Sequence, residues 1–136
     1  VNGLILDTNA YVAFKRGLDE AVETLRLADE IVVPAVVLGE LLAGFACGHR
    51  EAENRRELAQ FLDSPRVRVA EVDATTASWY ARVFAGLRRA GRPIPANDLW
   101  IAAIALQNGL PLFTYDRHFE NVEGLALVTR PEDLLP

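Results

Sequence analysis

Leu4-Ile5-Leu6-Asp7-Thr8-Asn9 is the stretch from which the fold is read. Three consecutive apolar residues closed by an acid and two polar residues read as a short buried strand. A helix starts directly behind it, with Thr8 or Asn9 as the expected cap. The same grammar recurs along the chain. Ile31-Val32-Val33 is a second apolar run, closed by Pro34, and Ala35 to Cys47 follows as a helix with Gly48 as its stop. Leu18, Ala21, Val22, Leu25 and Ala28 recur at helical spacing between these two strands, and Arg50 to Leu62 mixes charged and apolar residues in the same period.

Val67-Arg68-Val69 predicts a third, half-exposed strand, and Ala74 to Ala90 a long helix stopped by Gly91. Pro93-Ile94-Pro95 is a stiff connector. Ala96 or Asn97 opens a helix running to Asn108-Gly109, Leu112-Phe113-Thr114 is a fourth strand, and Leu125 to Val128 a fifth. One more turn is expected from Pro131. Strands alternating with helices imply an α/β fold: a mostly parallel central sheet between two helical layers, in a three-layer α/β/α arrangement. With no repeat, low-complexity stretch or linker in 136 residues, the expectation is one domain spanning 1–136.

Within this frame four carboxylates stand out. Asp7 directly follows the first strand, and Asp116 lies two residues beyond the fourth. Open α/β sheets gather their sites outside the carboxyl ends of the strands, so both acids should emerge at one edge. Glu40 sits on a helix with Val36, Val37 and Gly44 at offsets of three and four, which share one face, so it points with the apolar stripe. Asp98 occupies the first turn of a helix that is apolar nearly all round. The helix dipole favours an acid there by only about 0.3–1 kcal/mol. An isolated buried carboxylate costs several kcal/mol, so four such acids are expected to share a divalent cation. All-oxygen ligands suit Mg²⁺ or Mn²⁺ and not zinc. His49 follows Gly48 in a surface loop, and His118 is expected to be exposed or to stand behind the ligands, near the substrate.

Composition narrows the field further. Hydrophobic residues make up 51% of the chain, enough for a real core, while no apolar stretch is long enough to span a bilayer. No basic n-region and cleavage site opens the chain, so no signal peptide is expected. The single cysteine, Cys47, excludes an internal disulfide and is expected to be a small core residue; a reducing cytoplasm is the matching compartment. The net charge of −5 argues against tight, non-specific duplex binding. Setting the four acids aside leaves a nearly balanced surface, compatible with an enzyme that touches a few phosphates. Arg88, Arg89 and Arg92 read as a solvated helix end, where cations oppose the dipole. Trp79, Tyr80 and Phe84 read as core or dimer contacts, and Trp100 as core.

Together these blocks resemble a known family. The opening Leu-Ile-Leu-Asp-Thr-Asn, the helix segment Val37-Leu38-Gly39-Glu40-Leu41, the block Pro95-Ala96-Asn97-Asp98-Leu99-Trp100-Ile101-Ala102 and the late Leu112-Phe113-Thr114-Tyr115-Asp116-Arg117-His118-Phe119 look like a PIN domain, and more narrowly like a VapC-type toxin ribonuclease. The resemblance implies that Asp7, Glu40, Asp98 and Asp116 are the metal-site and catalytic acids. It implies that Thr114 supports them by hydrogen bonding and that Asn9 lies near the metal centre. Asn97, beside Asp98, is the expected orienter, and Thr8 and His118 complete the surrounding set. It further implies a Mg²⁺- or Mn²⁺-dependent endoribonuclease leaving a 5′-phosphate and a 3′-hydroxyl, with an RNA substrate, a cognate antitoxin partner and a homodimeric state.

Rival readings fare worse on the residues. A haloacid-dehalogenase-like phosphatase needs a second Asp at position 9 and a late lysine; the chain has Asn9, and its one lysine is Lys15. A receiver-like phosphoacceptor needs paired acids after the first strand and the same late lysine. A catalytically silent PIN-fold binding module remains the main alternative, disfavoured by the intact acid set.

Overall fold

The computed structural model describes residues 2–134. Five strands run in the order β1 (Gly3–Leu6), β2 (Glu30–Pro34), β3 (Val67–Ala70), β4 (Leu112–Phe113) and β5 (Leu127–Val128). Six helices connect them: α1 (Thr8–Lys15), α2 (Asp19–Leu27), α3 (Ala35–Ala46), α4 (Glu51–Leu62), α5 (Ala74–Ala90) and α6 (Ala96–Asn108). Two 3₁₀ turns, Arg117–Asn121 and Pro131–Leu134, close the chain.

The spatial order of the sheet is β3-β2-β1-β4-β5, and every neighbouring pair is parallel. From β1 the chain steps outward to β2 and β3, then returns across the sheet to β4 and β5. Right-handed crossovers therefore put α1 to α4 on one face and α5 and α6 on the other. The reversal of direction lies between β1 and β4, where Ile5 pairs Leu112 and Leu6 pairs Phe113. That crevice is the topological switch point at which parallel sheets form sites.

β1 and β2 are almost wholly buried, as expected of strands covered on both faces. Their side chains join Leu112, Phe113 and Ile101, Ala102, Ile104 and Ala105 of α6 in one continuous apolar cluster. β3, an edge strand, keeps Arg68 and Val69 exposed. α5 opens on a capping box between Asp73 and Thr76 and closes at Gly91, whose φ of 69° is left-handed. A Cβ at Gly91 would meet nothing within 4 Å, so only backbone strain opposes a larger residue. Gly91→Ala is expected to cost about 1 kcal/mol, read as a lowered urea midpoint at unchanged m-value.

Several expectations need correction. The cap of α1 is Asp7 itself, not Thr8 or Asn9: its extended backbone precedes the first helical residue, and its carboxylate accepts from Thr8 N–H. Cys47 is exposed, because in the last turn of α3 only Phe45 faces the core. Trp100 is half-buried and not fully core; it lies against Tyr80 with ring centroids 4.2 Å apart. Phe84 is 44% exposed, so of its two readings, core or dimer contact, only the first is corrected. β5 begins at Leu127, since the chain from Gly124 is still turning.

Candidate active site

Asp7 leaves the end of β1, and its N–H bonds to Phe113 O at 3.0 Å, which fixes it beside β4. Only 4% of the residue is exposed. Its Oδ1 accepts from Thr8 N–H at 2.8 Å and its Oδ2 from the Thr114 hydroxyl at 2.7 Å. Thr114, just past β4, is itself buried. The same Oγ accepts from Asp116 N–H at 3.0 Å and lies 3.4 Å from Asn9 Nδ2, so one donor and two acceptor positions are all used. Asn9 Oδ1 accepts from Tyr115 N–H at 3.1 Å, tying the first turn of α1 to the segment after β4. Thr8 turns the other way, and its hydroxyl donates to Glu40 Oε1 at 2.8 Å.

These elements surround one open cavity of about 530 Å³, whose wall includes Asp7, Thr8, Asn9, Glu40, Asp98 and Asp116. The four acids drawn from four separate stretches of sequence thus meet in one place. Asp98 is in the first turn of α6, as expected. Asp116 caps the 3₁₀ turn Arg117–Asn121, where its Oδ1 accepts from His118 N–H at 3.3 Å. Phe119, fully buried, anchors that turn and aims His118 back into the site. His118 Nδ1 stands 3.0 Å from Asp116 Oδ1, and Nε2 stands 2.7 Å from Asp98 Oδ2. The Nε2 approach has ion-pair distance without the alignment of a hydrogen bond, and this buried nitrogen has no hydrogen-bond partner.

His118 therefore stands against two of the acids and is half-buried, so of its two expected positions the exposed one is corrected. Asn97, by contrast, is exposed and does not line the cavity: its place in the first turn of α6 turns it outward while Asp98 turns in. Arg16 is a cavity residue that sequence reading did not single out. The signal was present, because Asn9, Val12, Ala13 and Arg16 stand at offsets of three, four and seven, one face of α1.

The electrostatics are those of clustered carboxylates with one imidazole beside them. Among the described residues, no lysine or arginine lies within ion-pair distance of any of the four carboxylates. Burial pushes the Asp7 carboxyl up to about 6, against the opposing pull of its bonds from Thr114 and Thr8; the charges of Asp98 and Glu40 push the same way as burial. Asp98 is also raised, first by burial, with the Coulombic attraction of His118 holding it back and Asp116 and Glu40 adding to the rise. Asp98, Asp116 and His118 present ligand atoms within 4.8 Å of one another, a group able to hold a metal ion. Asp7 and Glu40 line the same cavity outside that tight group. Carboxylate oxygens with one imidazole nitrogen form a donor set suited to a divalent cation.

Comparison with known proteins shows the family and the fold. The PIN domain family model matches residues 4–125. Ribonuclease VapC5 of Mycobacterium tuberculosis is 32% identical over 126 residues, covering 91% of this chain and 90% of its own. The fold superposes on the VapBC2 structure from Rickettsia felis bound to a DNA fragment from its promoter, with a TM-score of 0.84 and 27% identity over 93% of this chain and 97% of that one. It also superposes on VapBC-5 from Mycobacterium tuberculosis, a toxin–antitoxin system, with a TM-score of 0.70 and 31% identity over 93% and 94% of the two chains.

Proposed function

The chain belongs to the PIN-domain family, among the VapC ribonucleases, and from that premise we propose that it is a Mg²⁺- or Mn²⁺-dependent endoribonuclease acting as the toxin of a toxin–antitoxin pair. One observation carries the reading: Asp7, Glu40, Asp98 and Asp116 converge on one cavity, and among the described residues no arginine or lysine lies within ion-pair distance of them. These four would hold the metal, with His118 beside Asp98 and Asp116 as a further donor. When bound, a divalent cation relieves charge on the phosphodiester and lowers the pKa of the attacking water.

The residues of the chain do the rest. Thr114 and Thr8 N–H fix both oxygens of Asp7, and Thr8 Oγ orients Glu40, so these carboxylates are set before substrate arrives. One of the four acids accepts the proton released by the attacking water. Arg16, at the cavity rim, is placed to meet a phosphate of the RNA. Partners follow the same reading: a cognate antitoxin protein covering the acidic cavity, and a second copy of the chain, for which exposed Phe84 offers an apolar contact. No helix among the described residues is long and apolar enough to cross a membrane, and the cytoplasm, where RNA is found, is the proposed compartment.

The test is incubation with structured RNA with and without Mg²⁺ or Mn²⁺. Cuts leaving 5′-phosphates, lost with chelator and in Asp7→Ala, support the proposal. Intact RNA alongside phosphate released from small esters contradicts it. Metal affinity should also depend on pH. Asp7 holds its proton up to about pH 6 and must lose it to become a ligand. Mn²⁺ binding followed by calorimetry should therefore weaken by about tenfold for each pH unit below that value.

A further inference from the structure

A second cavity of about 520 Å³ adjoins the acidic one between α1, α3 and α4, and the two share Val12 and Arg16 in their walls. The chain as a whole is acidic, yet three of the four charged residues lining this groove are basic: Lys15, Arg16 and Arg50, against Glu57. Lys15 is matched by Glu57 at 3.3 Å. Arg16 has no ion-pair partner among the described residues. Arg50 is exposed and pairs with Glu53 through Nε and one terminal nitrogen, which leaves the other terminal nitrogen free. Exposed pairs of this kind contribute little, so exchange of Glu53 for a phosphate is cheap. Half-buried Phe45 supplies an apolar wall, and Asn54 an amide.

We propose that this groove is an RNA subsite, in which Arg16 and Arg50 hold phosphates of the strand on one side of the scissile bond while Phe45 receives a base. The inference rests on the ribonuclease reading and adds where the substrate runs. A basic track with an aromatic surface is the usual means of holding a single strand without base readout. Continuity with the acid cavity favours RNA over a protein segment: a polyanion crossing at Arg16 delivers its next phosphodiester to the four carboxylates, and it satisfies the groove's surplus positive charge on the way.

The test compares the parent chain, Arg16→Ala/Arg50→Ala and Arg130→Ala, a surface arginine outside the groove. Binding of a single-stranded RNA of about twelve nucleotides is followed by fluorescence anisotropy with Mg²⁺ in an Asp98→Asn background. The double variant should bind at least about tenfold more weakly, and its log–log salt slope should be shallower by about 1.4, the contribution of two phosphates on a single strand. Arg130→Ala should match the parent in both. In the cleaving background, the preference for that RNA over one of about three nucleotides should fall in the double variant only. Equal affinity and slope in parent and double variant overturn the subsite. So does unchanged RNA binding with loss of a protein partner. RNA bound in the groove but never cut by the parent would instead refute the ribonuclease reading, and leave the groove to be judged on the binding data.

Discussion

Asp7→Asn should make the metal-free protein more stable at neutral pH and, in the same molecule, remove RNA cleavage. The stability half follows from linkage. The Asp7 carboxyl has a folded-state pKa of about 6 against an ordinary value of 3.8, so the folded chain binds a proton more tightly than the unfolded one. Below about pH 4 the group is neutral in both states and costs nothing. As pH rises through the window from 3.8 to about 6 the folded state loses stability, and above it the full penalty applies. The ceiling is on the order of 3 kcal/mol. Asparagine removes the charge and keeps the acceptor for Thr8 N–H, but it offers an N–H₂ where Thr114 now donates, and the Thr114 proton must turn toward Asn9 Oδ1, 3.5 Å away. A net gain of about 1–2 kcal/mol is therefore expected at pH 7.5, several degrees in melting temperature, vanishing at about pH 5 and turning into a net loss by about pH 4, where the lost Thr114 bond is no longer offset. Cleavage should fall by at least about 10³-fold, roughly 4 kcal/mol of barrier. Thermal melts with chelator across pH, beside RNA cleavage with Mg²⁺, read both halves. A variant less stable at pH 7.5, or one that still cuts, contradicts the assignment.

Thr114→Val should be damaging in a way its size does not suggest. Valine matches threonine in volume, so packing in the β4 segment is kept. What goes is a hydroxyl that donates to Asp7 Oδ2 and accepts from Asp116 N–H in a buried setting. Each orphaned group costs about 1–3 kcal/mol. The Thr114 bond also holds the Asp7 carboxyl down, so its loss should raise that group further. The destabilisation should consequently ease as pH falls and Asp7 takes up its proton, which a packing defect would not do. Activity should drop by about 10–100-fold, as for other residues that orient metal-site ligands. Thr114→Ser should recover most of both, as read by urea unfolding at pH 7.5 and pH 4.5 and by kcat/KM.

Much of this molecule is legible from residue order alone, for physical reasons. Leu4–Leu6, Ile31–Val33 and Leu112-Phe113 are apolar on both faces because parallel strands are covered on both, and Gly91 and Gly109 mark helix ends because both adopt left-handed backbone there. Asp7 and Asp116 pair from residue order, since acids behind strands of a doubly wound sheet share one edge. What escaped depended on side-chain direction. Asp7 and Thr8 compete for the cap of α1, and the hydrogen bond from Thr114, 107 residues away, holds Asp7 there. For His118 the sequence left open both an exposed position and one behind the ligands, because nothing in it says that the imidazole faces Asp98. Asn97 and Asp98 are neighbours in the chain but differ by about 100° around the helix, and only one can face the cavity. Cys47 looked buried because α3 is apolar to its end, yet in the last turn only Phe45 faces the core and Cys47 lies on the open side.

The central claim is that the Asp7, Glu40, Asp98 and Asp116 carboxylates form a cation site that cuts RNA. Anomalous diffraction from crystals grown with Mn²⁺ addresses it most directly. The account predicts a peak in the cavity with carboxylate oxygens of these residues at roughly 2.0–2.3 Å, absent from Asp98→Asn crystals, whose protein also leaves RNA uncut. An empty cavity in crystals of protein that cleaves RNA equally well in chelator would contradict it.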